Sequence, residues 1–519
     1  MKTLLSSVKS FTILCIVNFG FYSLWAQPGS LDTTFGTTGK VTISMGPGAD
    51  KIYALALQPD GKIVAGGIQN ITGIDNDFAL ARYNPDGSLD TTFGTGGKVT
   101  TPIGNGDDQL KAILIQPDGK IVASGPTDSD PTSSVIFDAA LVRYNTDGSL
   151  DTSFGTSGIV TSRFGPPGYL FVVTAIGIQS DNKLVVSGIY NGGANGNEFF
   201  AIRYNTTGAL DTSFGSGGVV FTSFGTSSDT CYGMTIQPDG KIVLCGTAIV
   251  PGLQPDFALA RYNTDGSLDT TFGTGGLVTT DFGNGYSENG NKVTIQPDGK
   301  LILAGFIYGT STDYALARYN PDGSLDTAFG TGGKVTTGIG TLQDYGASVL
   351  LQTDNKIIVS GYSSIALYDF SMARYNTDGT LDTSFGTGGK VNTDFAGSSD
   401  DFAYASALQT DGKIILAGAS WNDFAIARYD GTVPLNVTTE NINQVVIFIN
   451  PETHLLTIQN SEPSVGKIIL YNTLGQEVLQ IQNESLMHLS FDTSIYSKGI
   501  YVLKIETESG NFIKKILIQ

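Results

Sequence analysis

The chain has 519 residues, of which 67 are glycine and 15% are charged, and its formal net charge is −19. A body this acidic repels phosphate backbones, so the composition argues against nucleic acid as a partner. The apolar content of 40% is enough to build a buried core, and the many glycines favour short strands joined by tight turns.

The first 26 residues have the pattern of a secretory signal peptide. Lys2 and Lys9 precede an apolar run that ends at Trp25, and the small residue Ala26 follows it. A membrane anchor is the alternative, but the run is short for a span of ~20 residues. We therefore predict cleavage near Ala26 and no transmembrane span in the mature chain.

Residues 27–431 repeat one unit of about 60 residues, which is marked by recurring Leu-Asp and Arg-Tyr pairs. Strand-like runs in the first full unit cover residues 53–58, 62–66, 78–83 and 98–101. A Pro-Asp-Gly turn joins the first two runs, and two units replace its glycine with Asn182 and Asn355. Asparagine tolerates a left-handed backbone, so the replacement favours a hairpin over a helix. Four strands per unit are typical of β-propeller blades.

The two ends of the array distinguish a closed ring from a linear solenoid. Residues 31–43 supply only a Leu-Asp segment and one strand, whereas residues 402–429 supply the other three strands of a unit. The ends are complementary parts of one blade, and closing the ring would remove exposed sheet edges. Seven hairpins then predict an all-β, seven-bladed propeller closed by pairing Val41 with residues 425–429.

The motifs Leu-Asp-Thr-Thr-Phe-Gly, Pro-Asp-Gly-Lys and Ala-Arg-Tyr-Asn together cover residues 30–430. They resemble the delta-60 repeat family of β-propellers, which is found in secreted bacterial proteins. The resemblance implies the propeller fold and brings no established activity with it.

Strand alternation places the nearly invariant turns on one face of the disc and the variable connections on the other. The variable segments are residues 125–136, 165–171, 189–198, 247–256, 283–291 and 362–368. Variation confined to one face of a rigid scaffold is what a binding surface needs, so we predict ligand binding on the variable-loop face. The alternative is that these loops are merely unconstrained.

Six crossovers between units place an acid just before the innermost strand, and the third unit lacks one. We predict that these acids surround the mouth of the central channel and bind a cation or a polyol. The alternative is local hydrogen bonding to the backbone. The candidate residues are Asp50, Asp108, Asp229, Glu288, Asp344 and Asp401.

No cofactor is expected, although Ca²⁺ is compatible with these acids. The segment from Asn84 to Asp90 also resembles a calcium loop, but it lacks the closing glutamate, and turn chemistry accounts for it.

Catalytic patterns are missing from the repeat region. Both histidines, His454 and His488, follow it, which excludes Ser-His and Cys-His pairs and histidine–metal sites there. A carboxylate pair could still support glycoside chemistry. The arginine and aspartate present in every unit have the same task seven times, so we predict an ion pair or a turn brace rather than a catalytic role.

Three cysteines occur, and Cys15 belongs to the predicted signal peptide. Cys231 and Cys245 flank one predicted hairpin turn, in diagonal rather than opposite positions. A disulfide is possible in an oxidising compartment, and the sequence leaves that question open.

After a polar linker at residues 432–443, seven short alternating runs predict a small Ig-like β-sandwich over residues 444–519. Three of its segments cover residues 470–478, 499–505 and 514–518. They resemble the type A C-terminal sorting domain of the type IX secretion system. The resemblance implies recognition of this domain by the secretion translocon, and a location in the medium or on the outer-membrane surface.

The leading functional hypothesis is a non-enzymatic binding module for a carbohydrate or a protein. The first alternative is a polysaccharide hydrolase or lyase that uses carboxylates at the channel mouth. The second is a purely structural or adhesive surface protein.

Overall fold

The computed structural model describes residues 27–431 and 445–518, except 71–74, 105, 129–136, 165–168, 194–195, 226–227, 250–253, 284, 396, 398, 450–454, 461–465, 473–475, 484–487, 498 and 508–509. The predicted signal peptide (1–26) and linker (432–443) lie outside the described residues. The chain divides into two compact units at Thr432/Val433. A search of the described residues for helices of membrane-spanning length and apolarity finds none.

The described strands of the first unit are β1 (Lys40–Ile43), β2 (Lys51–Leu57), β3 (Ile63–Asn70), β4 (Asn76–Tyr83), β5 (Lys98–Thr101), β6 (Ala112–Ile115), β7 (Ile121–Asp128), β8 (Phe137–Tyr144), β9 (Ile159–Ser162), β10 (Leu170–Ile178), β11 (Leu184–Gly193), β12 (Gly196–Tyr204), β13 (Val219–Thr222), β14 (Thr230–Ile236), β15 (Ile242–Ile249), β16 (Pro255–Tyr262), β17 (Leu277–Thr280), β18 (Ser287–Ile295), β19 (Leu301–Tyr308), β20 (Thr312–Tyr319), β21 (Lys334–Thr337), β22 (Asp344–Leu351), β23 (Ile357–Ser364), β24 (Tyr368–Tyr375), β25 (Lys390–Thr393), β26 (Asp401–Leu408), β27 (Ile414–Ser420) and β28 (Asp423–Tyr429).

These strands form seven antiparallel sheets of four strands each, which are the blades. Blade 1 is β2-β3-β4-β5, blades 2 to 6 follow in chain order, and blade 7 is β26-β27-β28-β1. The innermost strands β2, β6, β10, β14, β18, β22 and β26 contact their neighbours all the way round. The predicted seven-bladed propeller is confirmed.

The ring closes as the terminal fragments predicted. Strand β1 pairs with β28, placing Val41 opposite Ile426, and Leu31 bridges to Tyr429. The first strand of the array therefore completes the last blade by covering the edge of β28.

A buried ion pair ties each blade to the next. In blade 1 the Arg82 Nε lies 2.7 Å from the Asp90 carboxylate, and its guanidinium covers the Phe93 ring at 4.5 Å. Another guanidinium nitrogen donates to the backbone carbonyl of Thr146 in blade 2. Lys62 reaches the same Asp90 oxygen at 3.0 Å. The seven pairs are Arg82–Asp90, Arg143–Asp151, Arg203–Asp211, Arg261–Asp269, Arg318–Asp326, Arg374–Asp382 and Arg428–Asp32.

The cationic neighbours control the ionisation of these aspartates. Burial by itself would raise the pKa of Asp90, but hydrogen bonds from Thr92 and Lys62 and the charge of Arg82 hold it well below its usual range. The predicted structural role of the repeated arginine and aspartate is therefore confirmed.

A β-bulge shapes the inner strand of the blades. Tyr53 is the extra residue in β2, between Ile52 and Ala54. A Cβ on the facing Gly67 would collide with the Lys51 carbonyl, so only glycine fits opposite the bulge. The bulge directs its side chain into the central channel. The residues at this place in blades 1 to 7 are Tyr53, Lys111, Thr174, Tyr232, Asn291, Ala347 and Tyr404.

The turn chemistry predicted from the sequence is also present. Gly61 has φ = 83°, and Asn182 and Asn355 take its place with φ = 64°. The connection between strands three and four is longer than a single tight turn. The turn at Gly87 is followed by a segment that positions Phe93 beneath Arg82 before β5 begins.

Cys231 and Cys245 are buried free thiols that lie diagonally across the bulge of blade 4. The diagonal placement agrees with the sequence interpretation. Burial raises the pKa of the Cys231 thiol to about 12, so the reactive thiolate is scarce at neutral pH.

The second unit contains β29 (Val445–Ile449), β30 (Leu455–Asn460), β31 (Gly466–Tyr471), β32 (Glu477–Asn483), β33 (His488–Asp492), β34 (Gly499–Thr507) and β35 (Gly510–Ile518). They form two sheets, β29-β30-β33 and β32-β31-β34-β35. Leu456 from the first sheet and Ile468 and Leu503 from the second share one core. All seven predicted strands are present, and the Ig-like assignment remains a prediction.

Replacing Asp32 with alanine tests the ion pair at the seam. The change leaves the buried Arg428 guanidinium without its carboxylate, so we expect the free energy of unfolding to fall by ~3–5 kcal/mol. Asp60→Ala removes an exposed carboxylate 3.7 Å from Lys62 and should cost under ~1 kcal/mol. Urea unfolding measures both variants, and equal losses would contradict a special role for the buried pair.

Candidate binding face and channel

The six acids predicted at the channel mouth are buried rather than open to the lumen. Asp50, Asp108, Asp229, Glu288 and Asp401 are 0% exposed, and Asp344 is 1% exposed. The side chains that line the channel come from further along each inner strand, such as Tyr53 three residues after Asp50 and Lys111 three residues after Asp108. The expectation that these carboxylates open onto the channel mouth is therefore corrected, because their side chains are shielded from solvent.

Five of the six acids hold the crossover loop that precedes them. The Asp50 carboxylate accepts the N–H of Met45 at 2.7 Å and that of Gly46 at 3.0 Å. In four other blades the carboxylate accepts the backbone N–H at the position equivalent to Met45, at 2.6–2.8 Å. These acids are Asp108, Asp229, Asp344 and Asp401. These contacts are the local backbone bonding that the sequence analysis kept as the alternative. A ligand that binds these carboxylates would have to replace the backbone N–H groups that donate to them.

The third strand of each blade carries a second acid that was not among the predicted site residues. This acid is one of the first three residues of the third strand in every blade, and Phe, Tyr or Ala follows it directly. The seven residues are Asp77, Asp138, Glu198, Asp256, Asp313, Asp369 and Asp423. The recurrence of this acid in all seven units was the available signal. Burial and the charges of Asp75 and Asp108 raise the pKa of Asp77 to about 6.

Two crossovers differ from the rest. Between blades 2 and 3 the inner-strand acid is replaced by Phe171, and Arg163 pairs with Asp138 at 2.7 Å. Between blades 4 and 5 the acid is Glu288. Burial, with the charges of Asp256 and Asp281, raises the pKa of Glu288 to about 8.

The central channel is narrow, with a cavity of about 170 Å³. The Lys111 ammonium lies 3.6 Å from the Tyr53 ring centre, and burial lowers the pKa of Lys111 to about 8. Lys292 lines the same cavity, and desolvation by the surrounding protein lowers the pKa of its ammonium group as well. The lumen therefore presents amines and phenols rather than the predicted carboxylates.

A group of aromatic rings lies on the variable-loop face of blades 5 to 7. Stacked Tyr345 and Tyr362 have ring centres 5.0 Å apart, and Phe402 is 5.0 Å from Tyr362. Tyr308 at the end of β19 is 44% exposed. The aromatic platform comprises Phe306, Tyr308, Tyr345, Tyr362, Tyr368 and Phe402. From Phe402 the ring contacts continue into the channel through Tyr404 to Tyr53.

A smaller aromatic cluster lies in blade 3, where Phe171 replaces the acid. The ring centres of Tyr190 and Phe221 are 4.4 Å apart, and Phe221 is 40% exposed. It is separate from the platform in the ring contacts of the described residues.

The closed seven-bladed ring, with its bulge-lined channel, defines a repeat β-propeller followed by a second all-β unit. Seven segments match the family described as "Domain of unknown function (DUF5122) beta-propeller", at residues 58–93, 116–154, 179–214, 237–272, 296–329, 352–385 and 409–431. Residues 446–519 match the "Secretion system C-terminal sorting domain". The protein is thus a propeller of these repeats with a type IX sorting domain, which implies interaction with the secretion system. The sorting domain indicates a secreted or outer-membrane surface protein.

Curated proteins provide no match to this chain. Solved structures match it at low identity. An extracellular domain assigned to a hybrid two-component system of B. thetaiotaomicron is 11% identical, with a TM-score of 0.40, over 92% of this chain and 57% of its own. PorZ, a surface component of the type IX secretion system of Porphyromonas gingivalis, is 10% identical, with a TM-score of 0.37. The match covers 90% of this chain and 59% of the PorZ chain. The chain thus spans less than two thirds of either one.

Two classes of carboxylate with opposite pKa shifts predict a stability maximum in mild acid. Asp77 and Asp369 have pKa values raised to about 6, so their ionisation opposes folding, and this cost disappears as the pH falls from ~6 to ~4. The aspartates paired with arginine have depressed pKa values, so stability is lost as the pH falls below ~4. We expect the melting temperature to peak between about pH 4 and 5.

Circular dichroism melts from pH 3 to pH 8 measure this profile. Asp77→Asn should reduce the change between pH 6 and pH 4, whereas Asp60→Asn should leave it unaltered. A melting temperature that rises steadily up to pH 7 would show that the raised pKa values do not govern stability.

Proposed function

We propose that the propeller is a non-enzymatic surface module that binds a carbohydrate on the aromatic platform. The observation that carries this proposal is the contact network of six rings on the variable-loop face, with Tyr308 projecting into solvent. Exposed groups of aromatic side chains on a soluble protein mark binding surfaces.

The chemistry of the platform suits a sugar. Tyrosine combines an apolar ring, which packs on the C–H face of a pyranose, with a hydroxyl that hydrogen-bonds. The hydroxyls of Tyr345 and Tyr368 both donate to the Gln343 side-chain oxygen, at 3.2 and 2.6 Å. The rings are therefore held in place before a ligand arrives, which lowers the entropy lost on binding.

The alternative of a hydrolase or lyase loses its main support in the structure. It relied on carboxylates at the channel mouth, and those groups are buried; five of them bind backbone amides. A purely structural or adhesive role remains an outcome of the test below.

The prediction concerns Tyr308, which is 44% exposed, and Tyr368 at the start of β24. A glycan array first identifies a ligand, and isothermal titration calorimetry then compares variants. Tyr308→Ala and Tyr368→Ala should each raise the dissociation constant by about ten-fold, which corresponds to ~1.4 kcal/mol. Phe221→Ala removes a ring of similar exposure from blade 3 and should leave affinity unchanged.

Two results would contradict the proposal. If no glycan binds, the structural alternative is favoured. If a glycan binds and Phe221→Ala weakens it while both tyrosine variants do not, the binding site lies on blade 3 rather than on the platform.

A further inference from the structure

Three acidic side chains converge at the crossover between blades 4 and 5. Asp256 comes from β16, Asp281 follows β17, and Glu288 is in β18. One carboxylate oxygen from each lies within 4.8 Å of the other two. Asp256 and Glu288 are buried, and Asp281 is exposed at the surface of the crossover.

Glu288 is the second, independent feature of this place. Both of its carboxylate oxygens are buried and have no donor at normal hydrogen-bond distance among the described residues, while the Phe282 amide and the Asp256 carboxyl group interact with it from nearby. The aspartates at the equivalent position accept the N–H that corresponds to Phe282. Glutamate is one methylene longer than those aspartates, and its carboxylate lies within 4.8 Å of the carboxylates of Asp256 and Asp281. A buried carboxylate without a close donor is costly unless it takes up a proton or a cation, and a cation can contact all three side chains at once.

The chain itself provides that cation at one other crossover. Between blades 2 and 3, Arg163 occupies the position of Asp281, directly after the outer strand, and pairs with Asp138. At the blade 4–5 crossover, Lys334 donates at 2.9 Å to the backbone carbonyl of Asp281. Lys390 makes the same bond to the carbonyl of Gly338, where there is no third acid, so this lysine contact belongs to the blade scaffold.

We propose that Asp256, Asp281 and Glu288 bind a divalent cation, and that Ca²⁺ is the ion the site fits best. Ca²⁺ prefers oxygen ligands and accepts irregular geometry completed by water. The exposed Asp281 provides the path of entry, while Asp256 and Glu288 provide buried oxygen ligands. The site shares no residue with the carbohydrate platform proposed above.

A second group of acids serves as the internal control. Asp369, Asp394 and Asp401 also lie within 4.8 Å of one another. The Asp401 carboxylate already accepts the Phe395 N–H at 2.7 Å and the Ser399 hydroxyl at 3.4 Å. That group has an aspartate where the proposed site has glutamate, so the two differ in the feature that the proposal depends on.

Isothermal titration calorimetry with CaCl₂ on the purified full chain, stripped with EDTA and without any sugar, tests the proposal. We expect one Ca²⁺ per chain and a higher melting temperature that EDTA reverses. Glu288→Asp restores the residue of the other crossovers, and Asp281→Ser introduces the residue found at Ser44 and Ser223. Both variants should fold and bind Ca²⁺ at least about ten-fold more weakly. Asp394→Ser should bind as the unmodified chain does.

Three outcomes would overturn the proposal. One is the absence of binding heat and of any thermal shift up to ~10 mM Ca²⁺, beyond the range of extracellular calcium modules. Another is unchanged affinity in both Glu288→Asp and Asp281→Ser. The third is a loss of binding in Asp394→Ser alone, which would assign the ion to the other group. Because no sugar is present, each result is separate from the fate of the carbohydrate proposal.

Discussion

The buried arginine–aspartate pair is the contact on which the propeller depends. Removing a guanidinium from water is expensive, and the fold compensates with a carboxylate, an aromatic face and a backbone carbonyl of the adjacent blade. The same joint therefore stabilises a blade internally and fixes it to its neighbour. At the seam the partners Arg428 and Asp32 are 396 residues apart, and still they make the contact that every other blade makes. Ring closure needs no separate device.

This sevenfold joint divides the molecule into a framework that every blade repeats and a surface that differs from blade to blade. Its residues, and the turns that position them, lie on the face opposite the long loops. A feature present in all blades has a structural task in all of them, as the inner-strand aspartates show by holding their crossovers. Candidate functional groups are accordingly the departures from the repeat. Glu288 departs by one methylene, Phe171 by the loss of an acid, and the platform by its concentration of rings in blades 5 to 7.

Much of the fold could be predicted because spacing and turn chemistry are local properties of the sequence. Complementary ends gave the closure, and Asn182 and Asn355 marked left-handed turns. The candidate site was harder because a strand reverses its face at every residue. Asp50 was expected at the lumen, but it points into its crossover, and a bulge then brings Tyr53 to the channel. The platform could not be predicted, since its rings come from separate strands that only the folded ring assembles.

The proposed cation site and the platform share one pair of strands. In the β18–β19 register, Ser287 lies opposite Tyr308, Glu288 opposite Ile307, and Asn289 opposite Phe306. Because side chains alternate along a strand, Glu288 faces the acids while its two neighbours pair with platform residues on the other side of the sheet. An ion held by Glu288 would fix the start of β18, and through the ladder it would fix the two strand positions that present Phe306 and Tyr308. If both sites bind their ligands, the order of one hairpin end would link them without any contact between the ligands.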